Sequence, residues 1–488
     1  MMRRREALGM LAAAPAVLKG ARRPAGDKPN LLFIWTDQQR ADTMAAYGNT
    51  RYRVPVMNKL ASESVVFDRA YVAQPVCTPS RSCVMTGLWP HQNGCVRNNI
   101  PLRKDVKSAA EQLGDSDYRT GYFGKWHLGD EIFAQRGFEE WAAIEDGIYR
   151  DYYSEGRDTS KRSGYHYFLE RLGYKPDSKD GTFSRRFATK LPVEHSKPSF
   201  LANEATRFIT KHRNEPWMLY VNFLEPHTPF SSALDDLLTA EEAGLPANYP
   251  GPIEGGEPVW YQKRREGFRR KGVEGMPLNN REAWVRINRN YAGLCSLVDQ
   301  AVGRILWSLE ASGAMENTLV VYTSDHGEMM GSHELVTKQV MYEEAMRVPY
   351  LIRAPYRKQQ PMRVKTPVSH VDILPTVLDL LGKKPAESLS GASNVPLLEG
   401  TPRGDGYVFS EWTGDGKEDG PNARTVISPD GWKLVLHDTD THMLFDRTHD
   451  PLEMRNLYGR TETGPVIARM RKKLDGWQAR TGDGLRLS

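Results

Sequence analysis

Short apolar runs alternate with helix-spaced apolar positions along most of the chain. This alternation is typical of a mainly parallel sheet covered by helices. The apolar runs predict strands at 31–35, 121–123, 217–223, 318–322 and 348–352. Apolar positions at helical spacing predict helices at 58–64, 291–312 and 372–381. The pattern therefore predicts a large α/β domain.

Two long stretches, 145–212 and 230–285, interrupt this alternation with polar and aromatic residues. Loops of that length are usually functional. We therefore expect both stretches to form loops that contribute to a site.

The pattern changes near residue 382, where a connection rich in Gly, Lys, Pro and Ser begins. Short strands follow, and Ser428-Pro429-Asp430-Gly431 is a turn signal between two of them. The expected elements are strands at 407–412, 425–428, 432–437 and 443–446 and a helix at 466–480. We expect a catalytic domain over 28–382 and a C-terminal antiparallel sheet subdomain with a helix over 400–488.

Composition excludes several classes of protein. The 488 residues carry a net charge of +5, and the first 25 residues account for all of it. The rest of the chain is neutral and gives no electrostatic case for binding nucleic acid. No run of about 18 apolar residues predicts a membrane span, and four cysteines are too few for a disulfide scaffold.

Residues 1–25 have the order of an export signal. A basic start, M-M-R-R-R, precedes a weakly apolar run over 7–18 and the small residues Ala14-Pro15-Ala16. The adjacent arginines resemble those of a twin-arginine signal. We therefore expect a periplasmic or secreted protein, and the alternative is a frayed basic helix.

Polar side chains follow four of the predicted strands. They are Asp37 and Gln38, Lys125 and His127, His227, and Asp325 and His326. Ligands of open α/β sheets bind at the carboxyl ends of the strands. We therefore expect these groups to form one site.

Three of these residues, Asp37, Gln38 and Asp325, offer the oxygen ligands that Ca²⁺ and Mg²⁺ prefer. The imidazole of His326 is commoner on Zn²⁺, but the chain has no H-E-x-x-H or C-x-x-C motif. The sequence favours Ca²⁺, with Mg²⁺ or Mn²⁺ as alternatives. Asp37 and Asp325 could instead be helix N-caps.

Cys77 is expected at the start of a helix, because Pro79 and small residues follow it. Backbone N–H groups there favour an anion, so the thiol should have a lowered pKa. Cys83, Cys95 and Cys295 lack this setting and are expected to be buried, or to include one disulfide pair.

The segment C-T-P-S-R, followed by M-T-G, resembles the signature C-x-P-S-R-x-x-x-L-T-G of the formylglycine-dependent sulfatases. Met85 replaces the usual Leu, which is a volume-conserving change. Further family segments follow the same order: T-D-Q-Q-R, G-K-W-H-L-G, E-P-H-T-P-F, S-D-H-G-E, Lys338 before Y-E-E-A-M-R-V-P, and D-P-L-E-M-R-N-L. The resemblance covers about residues 28–458. It implies an alkaline-phosphatase-like α/β fold, a large mixed sheet sandwiched by helices, with a smaller C-terminal antiparallel sheet.

The resemblance also implies the chemistry. A separate maturation enzyme would oxidise Cys77 to formylglycine, whose hydrate attacks sulfur with one hydroxyl and expels sulfate with the help of the second. The implied metal ligands are Asp37, Gln38, Asp325 and His326, and residue 77 completes the shell. The family often has Asp at the position of Gln38 and Asn at that of His326, so this shell has one carboxylate fewer.

The remaining implied roles concern the substrate and the proton transfers. Arg81 would hold the aldehyde hydrate, and Lys125 and Lys338 would neutralise the sulfate oxygens. His127 would assist deprotonation of the second hydroxyl, and His227 would protonate the leaving oxygen or fix the sulfate.

The expected function is hydrolysis of a sulfate ester with release of sulfate. The substrate would be a sulfated small molecule or oligosaccharide, and the Tyr, Arg and Lys residues of the two polar stretches favour a sulfated carbohydrate. The alternatives are a phosphate or phosphonate ester hydrolase of the same superfamily and a non-catalytic glycan-binding relative. A further alternative is a metal-independent thiol hydrolase that uses Cys77 with a histidine base.

Overall fold

The computed structural model describes residues 28–414 and 420–487, so the predicted export signal at 1–25 lies outside the described residues. Within them, no helix combines the length and apolar character needed to cross a membrane. The strands are β1 (Asn30–Asp37), β2 (Val65–Phe67), β3 (Ala70–Tyr71), β4 (Arg119–Gly124), β5 (Glu140–Ala142), β6 (Trp217–Pro226), β7 (Thr318–Ser324), β8 (Arg347–Val348), β9 (Tyr350–Arg353), β10 (Met362–Val364), β11 (Val368–Ser369), β12 (Val408–Trp412), β13 (Ala423–Ile427), β14 (Trp432–His437) and β15 (Met443–Asp446). The helices are α1 (Pro55–Ser62), α2 (Cys77–Thr86), α3 (Pro90–Asn93), α4 (Ala109–Leu113), α5 (Gly164–Arg171), α6 (Arg185–Ala188), α7 (Lys197–Lys211), α8 (Ala240–Ala243), α9 (Val259–Lys271), α10 (Arg281–Ala311), α11 (Glu343–Met346), α12 (Ile373–Leu380), α13 (Val395–Leu398) and α14 (Gly464–Thr481).

The main sheet has eight strands in the order β10-β2-β9-β7-β1-β6-β4-β5. Strands β7, β1, β6, β4 and β5 are all parallel to one another, and β9 runs antiparallel to both of its neighbours. The mixed α/β sheet implied by the sequence is therefore confirmed.

Helices cover both faces of this sheet, which explains why its central strands are continuous apolar runs. Because side chains alternate along a strand, Leu32 and Ile34 of β1 pack into a core shared with α7 and α10. Leu31, Phe33 and Trp35 face the opposite core, which includes residues of α2, α4 and α12. The sheet separates these two cores, and the carboxyl ends of its parallel strands lie along one edge.

The predicted strand at 348–352 is wrong as a single element. It is divided at Pro349 into β8 and β9, because proline has no N–H to donate to a ladder. Strand β8 pairs with β3 in a small three-stranded sheet, whereas β9 belongs to the main sheet.

The expectation of loops throughout 145–212 and 230–285 is also wrong in part, because α7 lies within the first stretch and α9 within the second. In α7, Ser196 caps the N-terminus by accepting from the N–H of Ser199. Its apolar face buries Phe200 and Phe208 against the sheet. The polar residues between these positions concealed the helical spacing.

The predicted C-terminal sheet and helix are confirmed. Strands β12, β13, β14 and β15 form an antiparallel sheet in that order, and α14 packs on it. The N–H of Glu411 donates to the carbonyl of Ala73 at 2.8 Å, and Trp477 packs edge-on against Trp89. These contacts fix the small sheet beside α2, while the exact domain boundaries, 28–382 and 400–488, stay predictions.

Candidate active site

The central strands bring the predicted site residues to one edge of the main sheet. Strands β7, β1, β6 and β4 are adjacent and parallel, so their carboxyl ends lie side by side. Asp37 ends β1, Lys125 follows β4, His227 follows β6 and Asp325 follows β7. Asp37, Lys125 and Asp325 are all buried.

Helix α2 delivers Cys77 to this edge. The helix begins at Cys77, directly after an extended Val76, as the sequence predicts. The Cys77 Sγ lies 3.2 Å from His326 Nε2 and 3.7 Å from Asp37 Oδ1. The thiol is therefore enclosed by groups that follow two different strands.

The surroundings of Cys77 favour an anion. Burial alone would raise the pKa of the thiol, and Asp37 adds to that effect. The positive charges of Lys125 and Lys338 outweigh both, so the pKa lies below its usual range. An oxygen anion at this position would be stabilised in the same way.

Four side chains here have the composition of a metal site. One ligand atom each from Asp37, Cys77, Asp325 and His326 lies within 4.8 Å of the others, and all four residues are buried. The Nδ1–H of His326 donates to the carbonyl of Gly327 at 2.9 Å, which leaves its Nε2 lone pair for the cluster. That Nε2 lies 3.6 Å from Asp37 Oδ1 and 3.5 Å from Asp325 Oδ1. The imidazole Nε2 and the two carboxylate oxygens could coordinate one divalent cation, so the residues fit a metal ion.

Two cations hold the other oxygens of the same carboxylates. Lys125 Nζ lies 2.6 Å from Asp37 Oδ2, and Arg81 Nη2 lies 3.3 Å from it. Arg81 Nε also lies 2.9 Å from Asp325 Oδ2. Burial would raise the pKa of Asp37, but the nearby positive charges, Lys125 first among them, hold it well below its usual range. Asp37 is thus kept ionised, and the contacts of Arg81 fix the orientation of both carboxylates.

Gln38 lies beside this cluster in a left-handed conformation, with φ at 69°. Its N–H donates to Asp325 Oδ1 at 3.0 Å. Its side-chain amide accepts from Lys338 Nζ and donates to Glu328. The amide oxygen therefore pairs with Lys338 here, and the metal-ligand role of Gln38 stays a prediction.

His127 has the hydrogen bonding of a neutral base. Its Nε2–H donates to Asn99 Oδ1 at 3.0 Å, and its buried Nδ1 has no partner among the described residues. Glu131 fixes the backbone by accepting from the His127 N–H at 2.6 Å, and Tyr149 stacks on the ring with centroids 4.1 Å apart. Burial and the charge of Lys125 hold the pKa of His127 well below its usual range, so Nδ1 keeps its lone pair.

His227 is half-buried and has a defined tautomer. Its Nδ1 bonds to the carbonyl of Thr228 at 2.8 Å, so this nitrogen carries the proton when the ring is neutral. Burial and the charge of Lys338 lower the pKa of His227 well below its usual range. An anionic substrate would counteract the charge of Lys338 and raise that pKa.

Several residues of this site belong to no sequence motif and could not be assigned to the site from the sequence. Asn99 and Glu131 position His127 from loops, and Tyr149 covers its ring. Arg264 of α9 donates to the carbonyl of Lys338 at 2.9 Å and so fixes that segment. The sequence indicated only the regions that contain Tyr149 and Arg264, the polar stretches 145–212 and 230–285.

The other cysteines are buried and free. Cys83, Cys95 and Cys295 form no disulfide with one another in the described structure, which excludes the alternative of a disulfide pair there. Burial raises the pKa of the Cys83 and Cys295 thiols well above the usual range and that of Cys95 to about 12. Cys77 is thus the cysteine whose surroundings favour reactivity.

Two family models match the chain, and together they cover most of it. Residues 29–383 match the family described as Sulfatase, and residues 331–480 match the family described as N-sulphoglucosamine sulphohydrolase, C-terminal. An uncharacterized sulfatase, YidJ, of Escherichia coli K12 is 30% identical over 94% of this chain and 89% of its own. An N-acetylglucosamine-6-O-sulfatase of Bacteroides thetaiotaomicron is 28% identical over 89% of this chain and 83% of its own.

Comparison with solved structures gives the same architecture. A phosphonate monoester hydrolase from Silicibacter pomeroyi superimposes with a TM-score of 0.77, at 25% identity, over 93% of this chain and 96% of its own. The predicted resemblance, carried by motifs from Asp37 to the C-terminal sheet, is thus confirmed over nearly the whole described chain. The chain belongs to the sulfatase family of the alkaline-phosphatase-like superfamily, and it is an enzyme that hydrolyses sulfate esters.

Proposed function

We propose that this sulfatase releases sulfate from a sulfated carbohydrate, with a formylglycine made from Cys77 as nucleophile and a bound Ca²⁺. The observation that carries this proposal is the position of Cys77. It begins a buried helix and lies against Asp37, Asp325 and His326, the candidate metal ligands. The Cys77 Sγ of the structure stands in for the hydroxyl oxygens of the hydrated aldehyde.

The modified residue and the cation would together supply a hydroxyl group that is acidic enough to attack sulfur. Asp37, Asp325 and His326 would hold the cation, and Arg81 fixes both carboxylates through its contacts of 3.3 Å and 2.9 Å. Lys125 and Lys338 bring two positive charges to the same pocket, where they would stabilise negative charge on the sulfate oxygens.

The two histidines suit opposite proton transfers. His127 is held neutral with an unbonded Nδ1, so it can accept a proton from the nucleophilic residue. His227 bonds through Nδ1 to the carbonyl of Thr228, so Nε2 is the atom that can donate. The sulfate ester itself would favour the protonated form of His227 by bringing a negative charge beside Lys338.

A carbohydrate substrate is supported by the similarity to an N-acetylglucosamine-6-O-sulfatase. The aromatic and basic residues of the polar stretches support it only in part. Tyr149 covers the base, but Arg265 is a buried partner of Glu257 at 2.6 Å and Arg264 fixes the Lys338 segment. These arginines are structural and are not free to bind a sugar.

A second candidate function is hydrolysis of phosphonate or phosphate monoesters. The structural similarity to a phosphonate monoester hydrolase favours it, and its anion would meet the same cations. The test is to incubate matured enzyme with sulfated mono- and oligosaccharides, an aryl sulfate and the matching aryl phosphonate. Sulfate release from a saccharide supports the proposal. Turnover of the aryl sulfate alone rejects the carbohydrate substrate, and faster turnover of the phosphonate favours the second candidate.

We also propose that the enzyme works in the periplasm or outside the cell. The basis is the leader sequence at residues 1–25, with three consecutive arginines ahead of a weakly apolar run.

A further inference from the structure

A cavity of about 350 Å³ lies next to the nucleophile and has no part in the chemistry described above. Its lining comes from the connection before α2, the loop after α3, the segment after Lys338 and the first C-terminal strand. The lining residues are Gln74, Val76, Arg97, Asn98, Ile100, Gln339 and Trp412. Its volume is within the range of about 300–1,000 Å³ that is typical of small-molecule sites.

This cavity is joined to the active site by the chain itself. Val76 immediately precedes Cys77, and Asn98 accepts from the N–H of Thr78, the second residue of α2, at 2.9 Å. On the other side, Gln339 follows Lys338, and its N–H donates to the carbonyl of Pro75 at 3.1 Å. The cavity is therefore lined by the residues next to Cys77 and Lys338 in the sequence.

Arg97 gives the cavity a positive charge. It is the charged residue among those that line the cavity, it is exposed, and its guanidinium has no acceptor in the part of the chain that the structure describes. Arg81 of the active site differs, because two carboxylates hold its guanidinium. A free guanidinium presents several N–H donors to a carboxylate or a sulfate.

Gln74 gives the same cavity an unused acceptor. The side chain is fully buried, and its Nε2 donates to the carbonyl of Val96 at 3.0 Å. Its Oε1 has no partner within the described residues. A buried acceptor without a donor is costly, because its lost hydration is not replaced. A ligand hydroxyl would provide that donor.

The other residues that line the cavity have apolar side chains or side-chain amides. Trp412 and Val76 are buried, and Ile100 is half-buried beside them. Apolar surface with a few polar groups is suited to the CH face and the hydroxyls of a sugar ring. The cavity thus combines a free cation, a buried acceptor and apolar walls.

We propose that this cavity is a subsite for the sugar unit next to the sulfated one, and that this second unit carries an anionic group. Arg97 would pair with that group, and Gln74 Oε1 would accept from a hydroxyl of the same ring. The inference rests on the proposed carbohydrate function and deepens it. The substrate is then a polyanionic oligosaccharide, whose second anion is a carboxylate or a further sulfate.

The test uses two disaccharides that contain 6-O-sulfated N-acetylglucosamine, one linked to glucuronate and the other to glucose. Sulfate release gives KM, and inhibition of aryl sulfate hydrolysis gives Ki, so binding is measured even where the 6-sulfate is not cleaved. In the matured wild-type enzyme the glucuronate compound should have a KM or Ki about tenfold lower, because hydrogen bonds between charged groups are stronger than those between neutral groups. A third disaccharide with a sulfate in place of the carboxylate shows which anion is preferred.

Two variants complete the experiment. Arg97→Ala should abolish the difference between the two disaccharides, and Lys104→Ala, which removes an exposed charge from the following segment, should retain it. Equal affinities in the wild-type enzyme, or a difference that survives in Arg97→Ala, would overturn the subsite. Failure of every disaccharide to bind, with the aryl sulfate still hydrolysed, would reject the carbohydrate proposal and the subsite with it.

Discussion

Lys125 and Lys433 allow the catalytic and structural effects of a buried lysine to be separated. Lys125 Nζ lies 2.6 Å from Asp37 Oδ2. A second cation, Arg81, lies 3.3 Å from the same oxygen and would remain if Lys125 were replaced. Lys433 Nζ lies 2.6 Å from Glu453, and Arg447 remains at 3.3 Å. Both lysines are buried. The two ion pairs therefore match in the distance between their charged atoms, but Lys125 lies at the edge where Cys77 is held and Lys433 lies in the C-terminal sheet.

We predict that Lys125→Met and Lys433→Met lose similar stability. Removing one partner of a buried pair costs about 3–5 kcal/mol, and the remaining arginine reduces that cost to a similar extent in each case. Urea titration followed by tryptophan fluorescence measures both values. The variants should differ by about 1 kcal/mol or less, within the scatter of buried ion-pair measurements.

Activity should separate the two variants. Lys125→Met removes a preorganised charge from the sulfate pocket and should lower kcat/KM by about 10²–10³, which is about 2.7–4 kcal/mol. Lys433→Met should keep kcat/KM close to that of the wild type below its unfolding transition. Sulfate release from an aryl sulfate is measured for both and divided by the fraction of chains that carry the aldehyde. Equal losses in the two variants would refute a direct role for Lys125 in catalysis.

Three further predictions concern the leaving group, the metal and export. His227→Ala should slow alkyl or sugar sulfates more than activated aryl sulfates, because only the former need a proton on the leaving oxygen; equal losses would remove His227 from that role. Chelation should stop sulfate release and Ca²⁺ should restore it, since Asp37, Asp325 and His326 bring ligand atoms together beside residue 77; activity that survives a chelator would contradict the metal site. Replacing Arg3, Arg4 and Arg5 with Lys should leave active, aldehyde-bearing enzyme in the cytoplasm, and fractionation with a sulfatase assay checks this. Normal export of that variant would contradict the twin-arginine route.

The sequence was most informative where a strand ends in a chemically distinct residue. Asp37, Lys125 and Asp325 could be assigned to one edge because parallel strands with buried faces are continuous apolar runs. The register of β1 between β6 and β7 then fixes which of these residues are neighbours. Assignment to one edge thus follows from burial and chain direction, whereas the neighbour relations are known only from the structure.

Residues that act from loops could not be found in this way. Asn99 orients His127 across 28 positions of sequence, and no periodicity links the two. Glu328 and Lys338 meet at Gln38 only because the segment after β7 turns back on the sheet edge. Helix α7 was missed for another reason, because polar residues such as Asn203, Glu204 and Arg207 separate its apolar positions in a stretch of polar composition. Tertiary packing, rather than local pattern, defines all of these features.

The chemical state of residue 77 tests the central claim most directly. Peptide mass spectrometry after expression with a maturation enzyme should find an aldehyde at this position. Sulfate release should rise in proportion to the aldehyde fraction, and Cys77→Ala should fold but release no sulfate. Equal activity in enzyme that retains the Cys77 thiol, or in Cys77→Ala, would contradict the account.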